Sequence, residues 1–509
     1  MTRKHLILLS MILLFSVGFF LRFYRFNNLP FGINHDGSLE SLEAIELMKK
    51  PLPLQVHSLK RPWLGETLFR YYLAGAIKIL GPTPSVIKLA STFISVSTVI
   101  AFYFFTRTLF DNKIAFFSTF FISLSGWHII MGKSVWRAIS LPLFECLTFY
   151  LIFKALKTKK TIFYFLSGFS LALTTYTYAA SRFIPLIVFF LFTFLFIKRK
   201  KEFIVNKRSL VILVLSFFVF TLPLISFAFK YPSTFNSRSD FLFVGNRIKQ
   251  TNNLQPLLDN LKKTALMFTV RAGGDDFFVN EPLLDFPTNI FFIVGLLSSF
   301  YFIKNFNYQF TLMGFFLSLL PGLLSIPNGN RNIGVLPFVY LLSGIGLKTS
   351  HETIKSVFKK KMFIPNLFVA IFFLITLVNV WKIYFGKNRR EIFGFYPETT
   401  IVGNFMKPLL NDYYFYLTDN YPRDVLTFLT YQDGDPFLKH YTWLEQKEEF
   451  LKVNQKNKGI VFIMFNNPDN QAFIPLLKQK FPNGEVSELK YIDDNINRSA
   501  AIIYTVHKI

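Results

Sequence analysis

The chain has 509 residues, of which 52% are hydrophobic and 67 are Phe, and its mean hydropathy is +0.38; no single soluble core hides that much apolar surface, so the surplus requires lipid. A formal charge of +26 would suit nucleic acid in a soluble protein, but 15 basic residues balance 15 acidic ones from Gly386 onward, leaving 41 basic against 15 acidic in the first 385 residues. An excess confined to the membrane part argues against a nucleic-acid partner.

The first apolar run, Leu6 to Leu21, follows a basic start, as a signal peptide would. It leads into Phe20-Leu21-Arg22-Phe23-Tyr24-Arg25 in place of a small-residue cleavage site. That aromatic and basic collar seats a helix end at lipid headgroups, so the run is read as an uncleaved spanning helix. Ten further spans are predicted near 86-105, 114-131, 138-156, 162-179, 183-198, 209-229, 288-303, 310-326, 333-348 and 363-385, about eleven in all. Basic clusters at Arg3-Lys4, Arg107 with Lys113, Lys154 to Lys160, Lys198 to Arg208 and Lys348 to Lys361 fall in alternate loops. The positive-inside rule makes those loops cytoplasmic, with the amino end inside and the carboxyl end outside. Cys146 is the only cysteine and lies in an apolar run, so no disulfide framework or Cys-based metal site is expected.

The expected organisation is a membrane module over residues 1-385 with two long outward loops, 23-85 and 230-287, and an extracytoplasmic domain over 386-509. In the first loop, Ser38 to Lys50 alternates Leu39, Leu42, Ile45 and Leu47 with Glu40, Glu43 and Glu46, the pattern of an amphipathic interfacial helix; Leu68 to Leu80 suggests another. Past 386 the apolar runs shorten to strand lengths at Tyr413 to Leu417, Gly459 to Phe465 and Ala500 to Val506, with helical patterns near 398-410, 443-455 and 469-481. A small α/β domain is predicted there.

Ionisable groups at the outer membrane face are the default candidates for chemistry. Asp36 leads them, in Leu29-Pro30-Phe31-Gly32-Ile33-Asn34-His35-Asp36-Gly37 just before the predicted helix. Position alone leaves two roles open, a helix N-cap or a functional carboxylate. Arg137, Arg182 and Arg331 each sit in a short outward loop, where the positive-inside rule should leave few basic residues; headgroup snorkelling is the plain alternative. Lys133 shares the loop of Arg137. Tyr176 and Tyr178 are either site hydroxyls or part of the interfacial aromatic belt. Asp275 and Asp276 form a carboxylate pair in an acid-poor region, suited to sugar hydroxyls, an acceptor, a divalent ion or simply a solvated turn. Glu145 lies inside the fourth span and is expected to find a polar or basic partner in the bundle.

The opening helix with its collar, the Pro30-Phe31-Gly32 turn and the acid ahead of a helix resemble the glycosyltransferase C superfamily, specifically its protein O-mannosyltransferase and aminoarabinose transferase branch, glycosyltransferase family 39 and its bacterial relatives. Gly126-Trp127-His128 through Arg137, Thr175 to Pro185, and Ile326 to Asn332 with Leu336-Pro337 extend the likeness over most of residues 1 to 350. The family usually carries an Asp-Glu pair in the first loop. Gly37 occupies the second place here, so the resemblance implies Asp36 as the base, with the role of the Glu absent or taken by Glu40. His35 beside it is either a ligand or proton partner, or a bystander next to a turn.

An outward-facing transferase has no nucleotide-sugar pool, so a polyprenyl-phosphate sugar is the expected donor and its phosphate the leaving group. Arg, with a fixed fork of donors, is the side chain best fitted to that phosphate, which assigns Arg137, Arg182 and Arg331. The expected reaction is a single inverting displacement onto an acceptor hydroxyl of a protein, lipid or glycan, at the plasma (inner) membrane. No cofactor is required, although Asp275 and Asp276 keep a divalent metal open. A transporter or lipid flippase is the alternative; it predicts ionisable groups and broken helices near the bilayer midplane, where only Glu145 is clearly expected.

Overall fold

The computed structural model describes residues 3–49, 66–198, 207–272, 282–359, 361, 363–386, 394–418, 423–444, 447–454, 457–465, 473–493 and 496–508. In chain order the helices begin α1 (Arg3–Phe23), α2 (His35–Lys49), α3 (Leu68–Leu80), α4 (Pro84–Leu109), α5 (Asn112–Ser123), α6 (Gly126–Lys133), α7 (Ser140–Thr158), α8 (Thr161–Thr175), α9 (Ile184–Lys198) and α10 (Lys207–Lys230). There follow α11 (Pro232–Leu242), α12 (Val244–Thr251), α13 (Gln255–Leu266), α14 (Phe286–Tyr301), α15 (Phe306–Leu323), α16 (Leu336–Val357) and α17 (Phe363–Phe385). The last part carries α18 (Pro397–Met406), β1 (Tyr413–Leu417), α19 (Arg423–Leu429), β2 (Tyr441–Trp443), α20 (Lys447–Lys452), β3 (Gly459–Phe465), α21 (Phe473–Lys480), β4 (Glu485–Asp493) and β5 (Ile496–Val506).

The chain divides into two compact units, one over residues 3–26, 66–72 and 89–386, the other over 27–49, 73–88 and 394–508. The boundary expected at 385/386 therefore misses two earlier stretches, which group with the carboxyl-terminal domain. All eleven segments expected to span are helical. Among the described residues, six helices are long and apolar enough to cross a membrane, seven if α5 and α6 are one bent span, and Leu9–Phe23, Thr161–Thr175 and Phe286–Tyr301 are shorter apolar helices.

Close helix approach in the first unit depends on small residues, as expected where lipid offers no hydrophobic drive for association. A Cβ on Gly346 of α16 would fall 1.9 Å from the Phe291 carbonyl oxygen of α14, so only hydrogen fits between those backbones. Helices α5 and α6 diverge by 55°. Such a break strands the last carbonyls of α5, a costly state away from water. Arg22 of α1 resolves it: Nη1 donates to Ser123 O at 2.8 Å and Gly18 O at 2.9 Å, Nη2 to Ile122 O at 3.1 Å, and Nε to Ser95 Oγ at 2.9 Å, while Nη2 also lies 2.8 Å from His128 Nδ1. The residue expected to anchor at the headgroups is thus 1% exposed, a clasp across three helices. Glu145 also departs from expectation, because both of its buried carboxyl oxygens lack a hydrogen-bond partner among the described residues. It faces the chain at Gly334, where a Cβ would lie 3.8 Å from Oε2.

The second unit holds a five-stranded sheet of order β2-β1-β3-β5-β4, parallel at β1–β2 and β1–β3 and antiparallel at β3–β5 and β4–β5. All seven residues of β3 are buried, as its unbroken apolar run requires of a central strand. Val402, Met406, Phe415 and Leu426 cluster on one side, Phe450, Phe473 and Leu477 on the other. The run at Ala500 forms part of the longer β5; β2, β4 and α19, which the sequence pattern did not mark, complete the domain. The expected interfacial helix is α2, and it does not lie free on a surface. Residues Gly37 to Ile45 are all buried, Glu40 and Glu43 among them, and α2 packs along α19.

Candidate active site

Asp36 is positioned by the join between the first loop and α18. The chain turns at Gly32 with φ +91°, where a Cβ would sit 3.0 Å from the Pro397 backbone nitrogen, so this turn requires glycine. Ile33 O then accepts from Tyr396 N at 3.2 Å, and Asn34 forms an isolated bridge with Phe395. Asn34 also caps α2: its Oδ1 accepts from Gly37 N at 2.6 Å and its carbonyl from Ser38 Oγ at 3.0 Å. The capping role left open for Asp36 therefore belongs to Asn34.

Asp36 occupies the first turn of α2, half-buried. Its carboxylate has no hydrogen bond among the described residues, which leaves its oxygens open to a ligand. The Tyr396 phenol feels that charge: burial first and Asp36 second push its pKa up. His35 is occupied elsewhere, with Nδ1 3.2 Å from Asp424 Oδ2 of α19. Glu40, one turn beyond Asp36, is 1% exposed.

The arginines lie in the first unit. Arg137 is 2% exposed, and its Nε donates to Glu66 Oε2 at 2.9 Å. Its guanidinium stacks 4.4 Å from the Trp136 ring centroid and 5.9 Å from that of Tyr178. Arg182 Nη1 donates to Ser239 Oγ at 3.2 Å and Nη2 to Phe235 O at 3.3 Å, and the charge of Glu66 reaches it as well. Arg331 Nη1 donates to Ile326 O at 2.8 Å. A cavity of about 280 Å³ is lined by Tyr178, Phe183, Ser239, Leu324 and Arg331 among others. The structure thus gathers the three arginines and Tyr178 in one region.

Of the remaining candidates, Lys133 and Tyr176 are bonded to the backbone and two others lie outside the described residues. Lys133 Nζ donates to Tyr24 O at 3.2 Å and lies 5.4 Å from the Phe385 ring centroid. Tyr176 donates through its hydroxyl to Phe220 O at 2.9 Å. Asp275 and Asp276 fall outside the described residues. Among those described, no three His, Cys, Asp or Glu side chains form a group suited to a metal. Glu66 was missed by sequence reasoning; it stands 71 residues from Arg137 and belongs to no motif. The clasp of Arg22 and His128 was missed for the same reason; the Asn34 cap, three residues from Gly37, is local and was missed because Asp36 offered the same chemistry.

No family model matches the chain, and no curated protein is significantly similar to it. Solved structures do match. ArnT from Cupriavidus metallidurans bound to undecaprenyl phosphate superposes with a TM-score of 0.59 at 10% identity, covering 99% of this chain and 98% of that one. The archaeal oligosaccharyltransferase AglB from Archaeoglobus fulgidus, in complex with an inhibitory peptide and a dolichol-phosphate, gives 0.56 at 12% identity over 98% of this chain and 74% of that one. The Archaeoglobus enzyme with Zn and sulfate gives 0.58 at 11% identity over 96% and 72%. Two glycosyltransferases of the GT-C class are thus matched along nearly the whole length, and the chain has the GT-C fold.

Proposed function

We propose that this protein is a glycosyltransferase of the plasma (inner) membrane that moves a sugar from a polyprenyl-phosphate donor to an acceptor hydroxyl on the extracytoplasmic side. The observation that carries the reading is the cavity bordered by Arg331 and Tyr178, with Arg182 bonded to its lining Ser239. Among the described residues Arg331 spends one hydrogen bond on the protein, so its remaining guanidinium donors suit a phosphate. Arg137, neutralised in part by Glu66, is the least available of the three. The neighbours' bound undecaprenyl phosphate and dolichol-phosphate support the same ligand class.

On this reading Asp36 takes the proton of the acceptor hydroxyl as that oxygen bonds to the anomeric carbon. The bond from that carbon to the phosphate oxygen breaks, and its electron pair leaves with the polyprenyl phosphate, held by arginine. One displacement inverts the anomeric centre. Eleven spans with the amino end inside and the carboxyl end outside belong to the same proposal, as does the acceptor, a protein, lipid or glycan. Residues 386-509 with the loop segment 27–49 form the unit that holds the base.

The break between α5 and α6 and Glu145, without a hydrogen-bond partner among the described residues, favour a transporter or flippase as the second reading. Against it, Arg22 fills the break with protein contacts. The deciding experiment incubates purified protein with polyprenyl-phosphate sugars and a panel of acceptors and measures released polyprenyl phosphate. Release that Asp36→Asn abolishes, with the variant folded, is the expected result; full activity in that variant refutes the base, and no release with any sugar refutes the enzyme.

A further inference from the structure

Between α10 and α14 the chain forms an arm of three short helices, α11, α12 and α13. The last of them divides its sides in an order that water does not favour. Its buried side is polar, with Asn260 and Thr264 one turn apart, whereas Leu254, Leu258 and Leu261, spaced four and three residues apart, are 61%, 54% and 54% exposed. A soluble helix turns such a stripe toward the core. Gln255, Asp259, Lys262 and Lys263 are exposed beside it.

Asn260 accounts for the polar side being the one turned inward. Its Nδ2 donates to Leu323 O at 2.8 Å and to Ser325 O at 2.6 Å, where α15 ends and its carbonyls lack helical donors. Arg247 of α12 adds a bond from Nη2 to Ser325 O at 2.9 Å, and Val244 N another to Leu324 O at 2.9 Å. Leu324 and Ser325 line the cavity beside Arg331. The arm is thus fastened to that cavity's wall with its leucine stripe facing outward.

The stripe continues a surface that lipid already covers. Along its span α10 leaves Val219, Leu222 and Phe229 exposed, and Tyr231 carries that exposed apolar surface into the arm. Charge points the same way, since residues 230–271 hold seven basic side chains and two acidic ones. Neither Lys262 nor Lys263 has an ion-pair partner among the described residues, and Asp259 accepts from Gln255 instead, at 2.9 Å. Lysine is depleted where proteins meet one another, whereas an anionic headgroup layer attracts it while leucine reaches the acyl boundary below.

We infer that α13 is an interfacial foot, whose leucines enter the acyl boundary of the bilayer and whose two lysines meet anionic headgroups. This lipid contact stands apart from the donor reading. That it holds the neighbouring cavity at headgroup level, where a lipid phosphate enters, rests on that reading.

The test uses the full chain in lipid nanodiscs and reads no transfer activity, so its failure leaves the enzyme untouched. Nitroxide labels are placed on Leu258→Cys, Leu261→Cys and Lys263→Cys, the buried Cys146 staying unlabelled. Labels at 258 and 261 should collide often with oxygen and rarely with a water-soluble nickel chelate, and the label at 263 the reverse. Chelate collisions at 258 and 261 equal to those at 263 leave the stripe in water and overturn the foot. Shielding from both reagents, or spin broadening between copies, shows a protein or a second copy on the stripe and overturns it too. For the charge, hydrogen exchange of amides 254–266 should slow about fivefold per lysine when phosphatidylglycerol is added to a neutral nanodisc. The Lys262→Gln/Lys263→Gln variant should lose that difference; equal exchange in both lipids, or a difference that survives in the variant, overturns the anionic partner.

Discussion

Replacing Arg22 by Met tests whether one side chain holds the bent span together. The substitution removes the donors that serve Ser123 O, Ile122 O, Ser95 Oγ and His128 Nδ1. Ile122 O keeps a weak second donor, Ser125 N at 3.3 Å, so Ser123 O and His128 bear most of the loss. Unpaired buried acceptors cost about 1–3 kcal/mol each, while losing a buried cation and its desolvation offsets part of that; the balance is a loss of about 3 kcal/mol. At about 1–2 °C per kcal/mol for a unit of this size, melting should fall by about 3–6 °C. Cys146 supplies the assay, because the chain's only thiol is buried in the bundle and reacts with a fluorogenic maleimide only on unfolding. Arg22→Lys, which cannot reproduce the planar fork, should fall between the two. An Arg22→Met melt within 1 °C of the parent would refute the clasp.

Glu66→Gln removes the charge beside the buried Arg137 guanidinium and should cost about 3–5 kcal/mol, whereas the Glu66→Gln/Arg137→Gln pair should recover much of it; with Arg137→Gln alone as the fourth corner, a double-mutant cycle on thermal stability measures the coupling. For Asp285 the folded pKa of about 6 lies above the ordinary 3.8, so the folded state binds more protons between those values. Its contribution therefore falls as pH rises from about 4 to about 6, by at most about 3 kcal/mol, and is constant above. Melting temperature against pH should show that slope in the parent relative to Asp285→Asn, and parallel curves would disprove it. Gly346→Ala drives a methyl toward the Phe291 carbonyl and should separate α14 from α16, at a cost of several kcal/mol read by the same thiol assay.

Local patterns carried the helices and the central strands because each announces itself within its own stretch of chain. Apolar runs fell on helices at each expected segment, six or seven of them long and apolar enough to cross a membrane among the described residues, and the strand-length run at Gly459 to Phe465 became the fully buried β3. What the sequence did not reveal depends on partners far along the chain. Ser38 to Lys50 alternates like an interfacial helix, yet Gly32 and Ile33 tie its start to Tyr396 and Pro397, and the packing of α19 then covers it. Glu40 and Glu43, which looked solvent-facing, are buried for that reason. Likewise nothing near Asn34 marks it as the cap in preference to Asp36; the choice emerges from the bond to Gly37 N.

The same limit governs the basic residues, and it bears on the proposed chemistry. Scarcity of cations in outward loops singled out Arg137, Arg182 and Arg331, but scarcity says nothing of how much of each guanidinium the protein consumes. Arg22, passed over as a headgroup anchor, is wholly consumed by the bent span. Arg137 gives its Nε to Glu66, Arg182 two donors to Ser239 and Phe235, and Arg331 one to Ile326. A guanidinium binds a phosphate with whatever donors and uncompensated charge it retains. Loss of donor affinity on substitution should therefore be greatest at Arg331 and least at Arg137, where instability from the stranded Glu66 dominates instead. Measuring KM for the lipid donor alongside melting temperature across the three Arg→Gln variants separates binding from folding, and an Arg331→Gln variant with unchanged KM would remove this cavity from the donor site.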